Sequence, residues 1–132
     1  MGEMTMNEHL IPARKPTKFE EALTEDLYEI VGQEVFGGVS GGAWDVAVIN
    51  FSRWEGGADV RGHVLSENNA ARLEVNSFVV RDALSELCYR MAEAGHGWNV
   101  ATYRLTSEGQ MNIKFGFRED PWEMAVEENY VD

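Results

Sequence analysis

The segment from Trp98 to Asp120 restricts the possible folds of this chain more than any other. Its second arm alternates without a break, Met111, Ile113, Phe115 and Phe117 against Asn112, Lys114, Gly116 and Arg118. That period of two is the signature of a strand with one buried face. The first arm, Trp98 to Thr106, is rich in Val, Tyr, Leu and Thr, and Ser107-Glu108-Gly109-Gln110 lies between the arms. Gly109 provides the positive-φ position that a tight turn needs, so the segment predicts a β-hairpin. A hairpin alone is marginal in water and requires further strands or a helix to cover its apolar face.

The preceding chain provides both. Trp44 to Trp54, Asp59 to Ser66 and Ala71 to Val75 read as three strands separated by turns at Glu55-Gly56-Gly57-Ala58 and Glu67-Asn68-Asn69-Ala70, which predicts an antiparallel meander. Two helices flank the meander in sequence. Thr17 and Glu20 have the spacing of a capping box, and Phe19, Leu23, Leu27, Ile30 and Val31 follow at helical spacing up to about Phe36. The second helix starts near Asn76 or Ser77, carries Val79, Val80, Ala83, Leu84, Leu87, Cys88 and Met91, and stops at Gly95. Arg81, Asp82, Ser85, Glu86 and Arg90 are expected on its wetter side. The order α-β-β-β-α-β-β predicts an α+β fold, an antiparallel sheet of about five strands covered by two main helices. Asp120-Pro121-Trp122-Glu123 resembles a helix start and predicts a short acidic C-terminal helix or tail. Residues 1–16 lack periodicity and read as a flexible leader, leaving 17–132 as a single domain.

Composition narrows the function. The 132 residues hold 23 Asp and Glu against 11 Lys and Arg, a formal net charge of −12. Such a surface repels phosphates, which disfavours direct nucleic-acid binding and favours a basic protein partner. The single cysteine, Cys88, excludes an internal disulfide and suits a reducing compartment. No segment approaches the ~18 apolar residues of a membrane span, and no export signal is visible, so a cytoplasmic protein without membrane contact is expected.

Catalytic and metal signatures are missing at this level. His9, His63 and His96 are far apart and none shares helical spacing with a second ligand type, so no metal site or cofactor is expected. The glycines of Gly37-Gly38-Val39-Ser40-Gly41-Gly42 follow a helix and lack the Lys-Ser/Thr pair of a phosphate loop. Enzymatic activity is not expected. Two binding features stand out: Trp54 beside Glu55, and Trp122 between Asp120 and Glu123. A tryptophan ringed by carboxylates suits a basic partner. After Arg118 the chain holds Glu119, Asp120, Glu123, Glu127, Glu128 and Asp132 and no Lys or Arg. The candidate contact residues are therefore Trp54, Glu55, Glu119, Asp120, Trp122, Glu123, Glu127 and Glu128.

The chain resembles the YezG family of bacterial immunity proteins, or antitoxins, in the order of its elements from about Phe19 to Asp120. The matching residues are Trp44 opening the first strand, Leu84 and Leu87 in the second helix, Trp98 opening the hairpin, Gly109 in its turn, and Phe115, Phe117, Glu119 and Asp120 at its close. It departs at Gly97, where the family often has Pro, and at Gln110-Met111, where it often has Lys or Gly-Lys followed by Phe. The resemblance implies a cytoplasmic α+β protein that binds and neutralises the C-terminal domain of a contact-dependent or polymorphic toxin, often a basic nuclease. Two other readings remain open: a small acidic adaptor or subunit of a complex, and a small-ligand domain using Gly37 to Gly42 as a lid. No residue pattern argues for a homo-oligomer.

Overall fold

The computed structural model describes residues 14–39, 44–55, 57–67, 69–73, 75 and 77–121. Helix α1 spans Thr24–Gly38, strands β1 Val46–Trp54, β2 Gly57–Ser66 and β3 Asn69–Arg72 follow, then helix α2 Ser77–Glu93 and strands β4 Val100–Thr106 and β5 Met111–Gly116. The five strands form one antiparallel sheet in the order β3-β2-β1-β4-β5, the α+β architecture expected. The meander and the hairpin meet along β1 and β4, where Ile49 stands opposite Tyr103 and Phe51 opposite Ala101.

Both helices pack on one face of this sheet. That face carries Ala47, Ile49 and Phe51 from β1, Ala101, Tyr103 and Leu105 from β4, and Ile113 and Phe115 from β5, packed with Leu27, Val31 and Val35 of α1 and Val80, Leu84 and Leu87 of α2. Trp98 anchors the hairpin: it is buried, meets Phe51 edge-on at 6.0 Å and Phe115 at 4.8 Å, and donates Nε1–H to Met91 Sδ at 3.1 Å. Burying a large apolar side chain of this kind stabilises the fold by about 2–3 kcal/mol. Gly62 lies under the same layer, and a Cβ there would come within 2.9 Å of Ile49 Cδ1, so the close approach of sheet and core requires glycine. Met111, expected to face the helices with its alternation partners, is 42% exposed at the end of the edge strand, while Ile113 and Phe115 are packed as expected.

The turn signals behave as their chemistry requires. Gly109 has φ +93° in the hairpin turn, and Gly95 has φ +92° at the end of α2. Gly95 and His96 donate backbone N–H groups to Ala92 and Met91 carbonyls at 3.0 and 2.7 Å, the paired bonds of a Schellman stop. The first helix begins later than its periodicity implies. Glu20 does accept the Thr17 backbone N–H at 3.1 Å, as a capping box should, but residues 18–22 form turns and the helix starts at Thr24. The reason is that Thr17 directs its hydroxyl to Glu86 on α2 at 2.8 Å and Lys18 gives its N–H to Asp82, so this segment is tied across α2. Leu23 consequently lies outside the core at 62% exposure.

Candidate partner-binding surface

The sheet register brings two of the sequence-level features to one end of the molecule. Ser52 pairs with Val100, and Val100 with Gly116, so the end of β1, the start of β4 and the end of β5 are side by side. Trp54 and Glu55 leave this end from β1, and Glu119 and Asp120 leave it from β5, two strand spacings or about 10 Å away. Glu55 and Glu119 are exposed, and Trp54 and Asp120 are half-buried. Trp122, Glu123, Glu127 and Glu128 lie outside the described residues.

The acidic exit from β5 is held by Asn99, a residue that composition and periodicity did not single out. Asn99 is fully buried, and its side-chain amide acts as a backbone surrogate: Nδ2 donates to the Arg118 carbonyl and Oδ1 accepts the Arg118 N–H, both at 2.8 Å. Its backbone continues the sheet, with its N–H to Gly116 O at 3.0 Å and its carbonyl accepting from Arg53 N–H at 2.9 Å. The chain is thereby fixed for two residues beyond the last strand, and Asp120 is positioned to accept from Arg118 Nε at 3.2 Å. The only advance signal was an asparagine directly after the tryptophan that opens the hairpin.

A second cluster joins residues 14–24 to α2. Glu86, expected on the wet side of α2, is instead 1% exposed. It accepts hydrogen bonds from Arg14 at 2.9 Å, Arg90 at 2.8 Å and the Thr17 hydroxyl at 2.8 Å. Burial pushes the Glu86 carboxyl up, but the bonds from Arg14, Arg90 and Thr17 outweigh it and hold the group below the ordinary carboxylate range. Arg14 also engages Glu93 at 2.9 Å, and Arg90 reaches Thr24 Oγ1 and the Phe19 and Glu20 carbonyls. Tyr89, between these groups in α2, has the guanidinium of Arg14 at 5.1 Å from its ring and that of the buried Arg53 at 5.2 Å. Arg53 also donates to the Tyr89 hydroxyl. The cluster satisfies itself internally, and its chemistry is that of a clasp between chain segments.

Cys88 is buried with its thiol donating to the Trp98 carbonyl at 3.3 Å, and burial pushes its pKa up to about 12 against a smaller lowering by Arg53. This agrees with the core role read from its helical position. His63, expected on the surface or in a cross-strand contact, is buried opposite Val48 and Arg72 in the sheet. Among the described residues no group of His, Cys, Asp and Glu is arranged to hold a metal, and no helix is long and apolar enough to cross a membrane.

Charge is distributed unevenly. Arg14, Arg61, Arg90 and Arg118 are engaged by carboxylates of the chain itself, and Arg53 is buried against Tyr89. Glu21, Glu25 and Glu29 on and before α1, with Glu55 and Glu119 at the sheet end, are exposed and make no ion pair among the described residues. Compared with models of known protein families and with curated proteins, the chain matches none.

Proposed function

We propose that this chain is an immunity-type protein of the bacterial cytoplasm that binds and neutralises a basic toxin domain, of the nuclease class, through an acidic surface. The observation that carries the reading is the division of charge: arginines satisfied inside the fold, and exposed carboxylates left at Glu55, Glu119 and along Glu21, Glu25 and Glu29. Such a surface attracts a protein whose groove is built for phosphate, raises the encounter rate, and competes with nucleic acid for that groove. Trp54 at the same sheet end offers an anchor of the type that dominates interface energies. The toxin as partner rests on the resemblance to the YezG family, and the preference for a basic partner rests on the charge. A small acidic adaptor would use the same surface with a different basic protein.

Co-expression with the toxin domain encoded next to this chain separates the two. Growth rescue and a co-purifying complex are expected. Glu55→Gln with Glu119→Gln should weaken that complex by about tenfold at low salt and much less at high salt, since surface charges are screened there. A complex that forms without rescue points to an adaptor, and absence of both overturns the immunity reading.

A further inference from the structure

The face of the sheet opposite the helices has a character unlike the rest of the molecule. Read across the strands in register, one row places Arg72, His63, Val48, Arg104 and Asn112 side by side, and the next places Arg61, Asn50, Thr102 and Lys114. Four of the eleven lysines and arginines of a chain with net charge −12 therefore share one face, with His63 among them. The strand positions on that face hold a single carboxylate, Asp59, which pairs with Arg61 at 3.2 Å. A shallow groove lined by Val46, Arg104, Thr106 and Asn112 opens at one end of it.

We propose that the acidic C-terminal segment of the chain, residues 122–132, docks on this basic face. Charge complementarity is the first argument. Glu123, Glu127, Glu128 and Asp132 bring four carboxylates and no Lys or Arg to a face with four cations. The second is closure of the face: Val48 and Ser52 are 0% and 1% exposed, and Asn50 is 4% exposed, although both helices pack on the other side. Arg61 and Lys114, which flank this centre, are themselves exposed, so a further layer is needed to close it. The third is reach. Asn99 fixes the chain through Arg118, and Pro121 is buried at the end of β5, so residue 122 starts at the rim of the face. Extended at about 3.3 Å per residue, the segment can cross the roughly 20 Å spanned by five strands. Tethering gives it an effective concentration on the order of millimolar, which favours it over a free anion of similar affinity. The docking does not depend on the identity of any partner. It does mean that Glu123, Glu127 and Glu128 meet the chain's own cations in the free protein, and that a basic partner recruiting them must first lift the segment.

Hydrogen exchange on the full chain tests this without a ligand. In the wild type, amides of residues 122–132 should exchange at least about tenfold more slowly than an unstructured peptide. The pair Arg104→Glu and Lys114→Glu should abolish that protection, as should Glu123→Arg with Glu127→Arg, and the four changes together should restore it. Exchange in β1 and β4 reports whether each variant remains folded. If the sheet variant does not fold, the wild type alone decides: protection should fall as NaCl is raised from about 0.05 M to about 1 M. Random-coil exchange in the wild type, salt-independent protection, or protection that disappears on dilution, the mark of a second copy on the face, would each overturn the proposal.

Discussion

Replacing Glu86 by Gln tests the clasp between α2 and residues 14–24 at its centre. The substitution keeps the volume of the side chain and removes its charge. In the native protein the carboxylate accepts from two guanidinium groups and one hydroxyl, and its side chain is only 2% exposed. A hydrogen bond to a charged group is worth about 1.5–3 kcal/mol and a neutral one about 1 kcal/mol. Gln can still offer one oxygen, but its amide hydrogens face one of the two cations. The loss is moderated because Arg14 and Arg90 are 35% and 22% exposed and keep Glu93, Thr24 and backbone carbonyls as partners. A net cost of about 2–3 kcal/mol follows, a sizeable part of the roughly 5–15 kcal/mol stability of a domain. At about 3–4 °C per kcal/mol for a chain of this size, Tm should fall by about 6–12 °C near neutral pH. The pH dependence has a definite sign. Because the folded pKa of Glu86 is depressed below its ordinary 4.5, its contribution is complete above that value and is lost as pH falls through the folded pKa. The difference between wild type and Glu86→Gln should therefore be constant above about pH 5.5 and shrink in acid. Thermal unfolding followed by circular dichroism at several pH values measures both. An unchanged Tm near neutral pH, or a difference that persists undiminished into strong acid, would refute a buried, charge-bonded Glu86.

Asn99→Leu should cost about 2–4 kcal/mol, since it leaves the Arg118 N–H and carbonyl without their buried partners, and urea denaturation measures the loss. The same variant should speed exchange at Arg118, while the exposed carboxylates beyond it remain in place. Cys88 should resist alkylation in the native protein at about pH 8, where a thiol with pKa about 12 is almost entirely protonated, and react once the chain is unfolded. Mass spectrometry with iodoacetamide, with and without urea, distinguishes the two states.

The architecture was legible because its signals were local. The alternation of Met111 to Phe117, the glycines at 95 and 109, and the Leu84, Leu87, Cys88 stripe each depend on neighbours in sequence, and the order of elements left one simple sheet. The side chains that organise the surface were not legible for the opposite reason. Glu86 reads as a solvated position on any helical projection. It is buried because residues 14–20 cross α2 there, and a crossing segment leaves no periodic trace. The same crossing moved the start of α1 from Thr17 to Thr24, although the Thr17–Glu20 hydrogen bond itself formed as the capping pattern implies. Tyr89, absent from the expected apolar set of α2, is buried because Arg14 and Arg53 approach its ring. Of the candidate contact residues, Trp54, Glu55, Glu119 and Asp120 share one end of the sheet only because β4 inserts beside β1, a pairing that no local pattern specifies.

That β1–β4 pairing also sets the order in which the molecule can assemble. β1, β2 and β3 close through short turns, and β4 and β5 close through Ser107 to Gly109, so each piece can form within microseconds from its own contacts. Joining them requires the whole of α2 and its flanks to be looped out, an entropic cost that only the completed apolar layer repays. The rate-limiting barrier is thus expected at the seam between Ile49 and Tyr103 and between Phe51 and Ala101. Substitutions there should slow folding, whereas those in the outer strands should mainly speed unfolding.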